Sequence, residues 1–503
     1  MTTPSVHPTP LTFDADIAGL LFGGFWSNNG NAGSPLSLSY SFASINSYYL
    51  SDYDGDGNSS STETDEEPNY FNLSPITTQL KTTVKYALDL IENYTNITFN
   101  EVSDSISTEG TLRFGGTNLS YSSAWAYLPN YRSIGGDVWF SANEDWNTIK
   151  AGTYYHQTIL HEIGHALGLK HPHEEDIDGG SIKDPTRDSL AYTTMSYRDY
   201  IGGSTTGFAN PEWCPYTYMV DDIKALQFLY GKNDSYQTGN NTYSWTNKVV
   251  FETIWDAGGT DTINWTGKNA VCKIDLTAGA LSFFGGVSQY SNPLYWTSDQ
   301  GILGIAYDCI IENASGGNSN DILMGNSSNN VLTGNAGNDT IYGRGGNDHM
   351  NGGLGNDTML GGSGNDIYYV NSSGDRVFET TSTTSTTNAG GTDLVYSSIS
   401  LSIGNIRYVE NLTLTGSANL SATGNALNNT LTGNSGNNVL NGSAGNDRLN
   451  GGLGNDTMLG GSGNDIYYVN SSGDRIFETT STTSTTNAGG TDLVYSSISL
   501  SIG

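Results

Sequence analysis

The chain has 503 residues, too many for one ordinary domain, and its 51 acidic against 19 basic side chains leave a formal net charge of −32. That charge repels nucleic acid and anionic membrane surfaces and favours multivalent cations as partners. The longest apolar run near the start, residues 17–26, is broken by glycines and falls well short of the roughly 20 residues a membrane helix needs, so membrane insertion is not expected.

The opening segment has no Lys or Arg ahead of an apolar core and no small-residue cleavage site, so it does not read as a secretory signal peptide; any export is expected to take another route. Leu36–Phe42 reads as a strand. In the acidic loop after it, Asp52, Asp54 and Asp56, with Gly57 and with Glu63 at the twelfth position, match the spacing of an EF-hand calcium loop. The flanks lack the helices of that motif, so a solvated acidic loop is the competing reading. Ser74-Pro75 supplies an N-cap and a first-turn proline, predicting a helix to about Asn93 with Ile76, Leu80, Val84, Leu88 and Ile91 on one face. Strands are expected at 98–102, 111–114 and 137–140, and a second helix at 154–167. The head is therefore an α+β domain of mixed sheet plus helices.

Within that second helix, His161 and His165 are four residues apart and share a face able to hold one metal. Gly168 lets the chain turn so that His171 can complete a three-histidine site suited to zinc, with one position left open. Glu162 lies beside that position, where it can take a proton from the attacking water and deliver it to a leaving amine, which is peptide-hydrolysis chemistry. Histidines packed in a core are the plain alternative, disfavoured by the full His-Glu-x-x-His-x-x-Gly-x-x-His spacing.

This spacing resembles the metzincin metallopeptidases, and Thr194-Met195-Ser196-Tyr197 is similar to their methionine turn. Pro172 after the third histidine and Tyr197 after the methionine resemble the serralysin branch, as do Gly135 to Phe140, Asp222 to Gln227 and Leu229-Tyr230-Gly231. The resemblance implies that Met195 forms an apolar floor under the metal. It also implies that Tyr197 is a fifth zinc ligand that swings to hydrogen-bond the developing oxyanion, and that residues 123–127 form an edge strand pairing with extended substrate.

Cys214, Cys272 and Cys309 are too few and scattered for a disulfide framework and read as buried small hydrophobes. From Gly316 a glycine returns every nine residues to Gly361, with Asp321, Asp339, Asp348, Asp357 and Asp366 at the sixth position of their units; the phase restarts at Gly424 with Asp447, Asp456 and Asp465. Units such as Gly352 to Leu360 match the calcium-binding nonapeptide of parallel β-rolls, in which glycines turn the chain, carbonyls and Asp carboxylates offer hard ligands, and Leu323, Ile341, Met350 and Met359 point inward. Asn330, Asn429 and Asn438 stand where other units have Asp and are expected to weaken their sites.

Residues 351–404 recur as 450–503 with Val377 against Ile476 as the sole change, so Gly503 reads as an interruption of the second copy. The expected organisation is a zinc peptidase domain at 1–235, a β-rich connection at 236–315, all-β calcium-binding rolls at 316–372 and 424–470, an intervening β-rich module at 373–423, and its incomplete copy at 471–503. The implied function is secreted zinc-dependent endopeptidase acting on proteins or peptides, stabilised by calcium and exported through a type I exporter by family resemblance. The alternative is a calcium-dependent surface or matrix protein with an inactive head.

Overall fold

The structure is a computed structural model that describes residues 4–9, 15–44, 47, 73–105, 110–118, 122–131, 134–174, 184–205, 211–245, 250–267, 270–285, 301–479, 481–483 and 488–499. The loop carrying Asp52, Asp54 and Asp56 lies outside the described residues.

In the head, Leu36–Phe42 (β1), Ile97–Glu101 (β2), Leu112–Thr117 (β3), Ala124–Ala126 (β4) and Val138–Ser141 (β5) form a sheet in the order β2-β1-β3-β5-β4. Neighbours are parallel except β4, which runs antiparallel to β5 at the sheet's edge. Parallel pairing of β1 with β2 needs a crossover, and Thr78–Tyr94 (α1) supplies it. This helix does not start at Ser74-Pro75 as the sequence suggests. Leu73 and Ser74 are already held in antiparallel pairing with Thr117 and Gly116, and Thr77 takes the cap, its Oγ1 accepting the Leu80 N–H at 3.1 Å. The predicted stripe is otherwise in place: Leu80, Val84, Leu88 and Ile91 are buried, each contributing about 2 kcal/mol of apolar transfer, and Ile76 packs at the margin. Tyr154–Ala166 (α2) and Val220–Tyr230 (α3) both pack on α1 and share its core.

Beyond α3 the described residues are all-β. Among the described residues a sheet of 12 strands runs from Thr242–Trp245 to Leu493–Ser496, and from Asn313–Ser315 onward successive strands alternate between it and two others, of 8 and 5 strands. Within the repeats each strand pairs in parallel with the one two units on: Leu323 with Ile341 and then Met359 in one sheet, Leu332 with Met350 in the other. All five side chains are fully buried in one core, as the inward eighth position predicts. The three cysteines are buried and unbridged.

Turns of this roll stack so closely that a side chain has no room at their glycines. At Gly355, φ is +141° and an added Cβ would stand 1.6 Å from the Gly337 carbonyl oxygen. Gly355→Ala should therefore destabilise the roll by at least about 1–3 kcal/mol, the cost of a strained backbone residue. Thermal melting in calcium should show the loss, while Gly23→Ala, whose Cβ would meet nothing within 4 Å, should melt like the parent.

Candidate metal centres

The helix α2 is buried along nearly its whole length, because it runs between the sheet and the other helices. It carries His161 and His165 on one face. Its C-terminal turn ends at Gly168, whose φ of +99° and close approach to the Gly24 carbonyl oxygen leave no place for a Cβ. Beyond it the chain is pinned to the N-terminal segment by Lys170 N–H donating to Leu20 O and Phe22 N–H to Gly168 O, and this turn returns His171 to the other two histidines.

The three Nε2 atoms form a triangle with sides of 3.0, 3.0 and 3.1 Å. His161 Nδ1 donates to Thr194 O at 2.9 Å and His165 Nδ1 to Leu169 O at 2.8 Å, which places the remaining lone pair of each ring on Nε2. His171 Nδ1 lies 2.6 Å from Glu174 Oε1, though off the direction of a good hydrogen bond. The Nε2 lone pairs of His161 and His165 repel where they converge; a cation at the centre of the triangle removes that conflict, and neutral imidazoles fit zinc. Burial keeps the rings neutral by pushing all three pKa values down, His171 to about 2, and neighbouring rings add to the effect at His161 and His171.

Beneath the triangle Met195 is fully buried, and an added Cβ on Gly164 would meet its Sδ at 2.7 Å, so the glycine between the two helix histidines makes room for the methionine. The turn that carries Met195 hangs on Asp222 of α3, which accepts from Thr193 Oγ1, from Thr194 N–H at 2.7 Å and from Met219 N–H at 3.0 Å. Thr194 O then accepts from both His161 and Gln157, the latter at 2.7 Å. Asp222 therefore positions His161 through one residue. The sequence marks Asp222 only as part of a family landmark and is silent on Gln157, because both act through the backbone of a distant turn.

Glu162 sits next to His161, buried, with its carboxyl pKa pushed up to about 8 by burial alone. With His161 and Tyr197 it lines a cavity of about 250 Å³ whose other walls include Tyr154, Gln157, Thr158 and, from the start of β4, Ser123 and Ala124. The Tyr197 ring stands 4.4 Å from that of His171 and 5.5 Å from that of His161, about one-third exposed at the mouth, its hydroxyl pKa raised by burial and by Glu162. The predicted zinc-site residues thus meet in one place.

The repeat carboxylates show a second pattern. Asp339, Asp348, Asp357, Asp366, Asp447, Asp456 and Asp465 are all buried, each with Oδ1 accepting the backbone N–H of the residue 18 positions earlier. Each leaves Oδ2 buried with no donor. Such an orphaned charged oxygen is costly, and calcium, which takes hard oxygen ligands, satisfies it. Asp321 differs, since Cys272 N–H and Gly317 N–H occupy both its oxygens. Where Asn replaces Asp the amide does the metal's work: Asn330 Nδ2 donates to Glu312 O and Asn326 Oδ1, and Asn429 Nδ2 to Glu410 O and Asn425 Oδ1. Asn438 Nδ2 likewise donates to Leu420 O.

Family models match this architecture: Matrixin over residues 69–178, Peptidase M10 serralysin C terminal over 222–432, and the RTX calcium-binding nonapeptide repeat over 423–458, 432–467 and 449–476. The chain is thus serralysin-like, its head matching an M10 peptidase model and its tail the serralysin C-terminal and calcium-repeat models. It is similar to Serralysin A and a Serralysin C of Dickeya chrysanthemi, 36% identical over 267 residues and 37% over 264, each alignment covering 48% of this chain and 52% of the relative. A serralysin of Photorhabdus laumondii subsp. laumondii is 33% identical over 269 residues, 49% of this chain and 52% of that protein. The chain spans about half the length of the curated relatives it matches. The metals of this family are zinc in the peptidase domain and calcium in the repeats, as the two donor sets require.

Without calcium, burial raises the carboxyls of Asp339, Asp348 and Asp447 from 3.8 to about 7. A pKa raised by folding contributes stability that is complete below the unfolded value and lost as pH rises through the folded value. In chelator the roll should accordingly melt at a higher temperature near pH 5 than above pH 7. Saturating calcium should remove or reverse that trend, because protons then compete with the ion. Circular dichroism melts at several pH values, with and without chelator, check both signs.

Proposed function

We propose that the chain is a secreted zinc endopeptidase that hydrolyses internal peptide bonds of protein substrates, its fold maintained by calcium. The observation that carries this reading is the convergence of three imidazole Nε2 atoms beside a buried carboxyl in an open cavity flanked by an edge strand. His161, His165 and His171 are the zinc ligands. Zinc bound there supplies Lewis-acid polarisation of the scissile carbonyl and of water.

The protein's own groups do the rest. A peptide adds as an extended strand along β4, which brings its carbonyl over Glu162 and sets a neighbouring side chain into the cavity beside Tyr154 and Thr158. Glu162 as carboxylate accepts a proton from the attacking water and passes it to the departing amine. Glu162 would be held in its ionised form, against the effect of burial on its pKa, by a cation bound at the neighbouring histidines. Tyr197, at the rim beside His171, would donate its phenolic hydrogen to the oxyanion, and by the family resemblance would otherwise be a fifth zinc ligand. The RTX asparates Asp339, Asp348, Asp357, Asp366, Asp447, Asp456 and Asp465 hold calcium; Asp321 acts through backbone hydrogen bonds. Low calcium inside the cell would leave the tail unfolded for a type I exporter, and folding would follow release. Among the described residues no helix is long and apolar enough to cross a membrane.

Hydrolysis of fluorescent casein by the full chain with zinc and calcium tests the reading. Glu162→Ala should lower the rate by about 10²–10⁴-fold with zinc still bound, since general acid–base catalysis is worth that much. A folded, zinc-loaded parent that leaves casein intact would defeat the proposal. Tyr197→Phe should reduce kcat by about 10²-fold with little change in KM, as expected when a donor to the oxyanion alone is removed.

A further inference from the structure

One row of repeat aspartates breaks its period. Asn330, Asp348 and Asp366 follow at 18-residue steps, each N–H donating to the next Oδ1, but Asp366 N–H donates to Asp393 Oδ1 across 27 residues, at 2.8 Å. The extra length carries the Ser- and Thr-rich excursion, and the sheet nevertheless continues, Ile367–Val370 pairing with Leu394–Ser397. The excursion begins with Glu379, which the fold returns to Asp366 and Asp393. All three are essentially fully buried. Asp366 Oδ2, Glu379 Oε2 and Asp393 Oδ2 each lack a hydrogen-bond donor, and the ligand atoms of the trio lie within 4.8 Å of one another.

The other row closes differently. Asp357 N–H donates to Asp375 Oδ1, and Asp375 Oδ2 then accepts from Asn371 N–H and Ser372 N–H, both at 3.0 Å. That end needs no ion. At the trio nothing of the kind is present: Glu379 Oε1 accepts from the buried Tyr368 hydroxyl, which fixes the carboxylate and turns Oε2 inward. Gly361 keeps the space open, since a Cβ there would stand 2.0 Å from the Tyr368 hydroxyl and 2.2 Å from Asp366 Oδ2. The second copy repeats the grouping as Asp465, Glu478 and Asp492, with the Glu478 carboxylate held by Tyr467.

We propose that Asp366, Glu379 and Asp393 form a three-carboxylate calcium site, repeated at Asp465, Glu478 and Asp492, that splices the long excursion into the roll. Calcium is the fitting cation because its ligand distances of about 2.3–2.6 Å allow donors on opposite sides of the ion to be roughly 5 Å apart, whereas magnesium at about 2.1 Å draws them closer and retains water. Two aspartates 18 residues apart are what the regular steps offer; here the glutamate adds a third negative charge, which raises affinity for a divalent ion. The competing account is a cluster of neutral acids sharing protons, and burial does favour that form while no cation is present. This proposal stands apart from the peptidase reading, because its assay counts bound calcium.

The test is calcium titration of the full chain by calorimetry, with bound metal counted by equilibrium dialysis. Glu379→Gln keeps an oxygen for Tyr368 and should bind one calcium fewer than the parent; Glu379→Gln with Glu478→Gln should bind two fewer. Far-ultraviolet circular dichroism in saturating calcium should be unchanged in both. Parental stoichiometry and midpoints in the variants would overturn the proposal in favour of neutral acids. Should Glu379→Gln fail to fold, Tyr368→Phe provides the decision: it should keep the full stoichiometry with one site weakened by about ten-fold, the usual cost of losing an outer partner of a metal ligand. A Tyr368→Phe titration identical to the parent's would likewise overturn it.

Discussion

The organising constraint in this molecule is the burial of lone pairs that no protein donor satisfies. In the head three imidazole nitrogens converge, and the Nδ1 hydrogen bonds of His161 and His165 leave bare lone pairs on two of them. In the tail, row upon row of aspartate oxygens is turned inward with no hydrogen-bond donor. Each arrangement would be costly in a metal-free interior, where an unpaired polar group is penalised by more than a typical hydrogen bond returns. Both become favourable around a cation.

The two metal systems differ in what holds them. The zinc ligands are positioned by long-range tertiary contacts: Asp222 on α3 carries the turn, the turn orients His161, and the N-terminal segment pins the chain that returns His171. A change far from the metal can therefore act on it through the backbone. The tail is built from neighbour-to-neighbour contacts, each carboxylate bonded to the preceding turn and each inward Leu, Ile or Met stacked on its equivalents. Its stability should follow the nearest-neighbour logic of repeat proteins, with calcium as part of each interface.

Asparagine in place of aspartate gives this logic a useful contrast. At Asn330 and Asn429 the amide nitrogen reaches carbonyl oxygens that a carboxylate could approach only through a metal. These units lie near the start of their blocks, so calcium-independent turns precede calcium-dependent ones. Metal-free turns of this kind offer a template on which the charged turns can stack.

Much of the fold and of the zinc site was legible in the residues because the signals are local and periodic. Four-residue histidine spacing on a helix, a glycine at the turn and a nine-residue glycine period each follow from backbone geometry that the chain alone determines. The strand Leu36–Phe42 and the helix Tyr154–Ala166 also lie where alternation and helical spacing put them. The helix start near Ser74 was misread because pairing of Leu73 and Ser74 with β3, a contact distant in sequence, leaves the cap to Thr77. Gln157 and Asp222 as supports of the methionine turn, and Glu379 beside Asp366 and Asp393, likewise carry no local signal. Sequence by itself determined which ligand types are present and their repeat; only the tertiary structure decided which carboxylates are buried without a donor, because burial and pairing depend on residues brought together from distant turns.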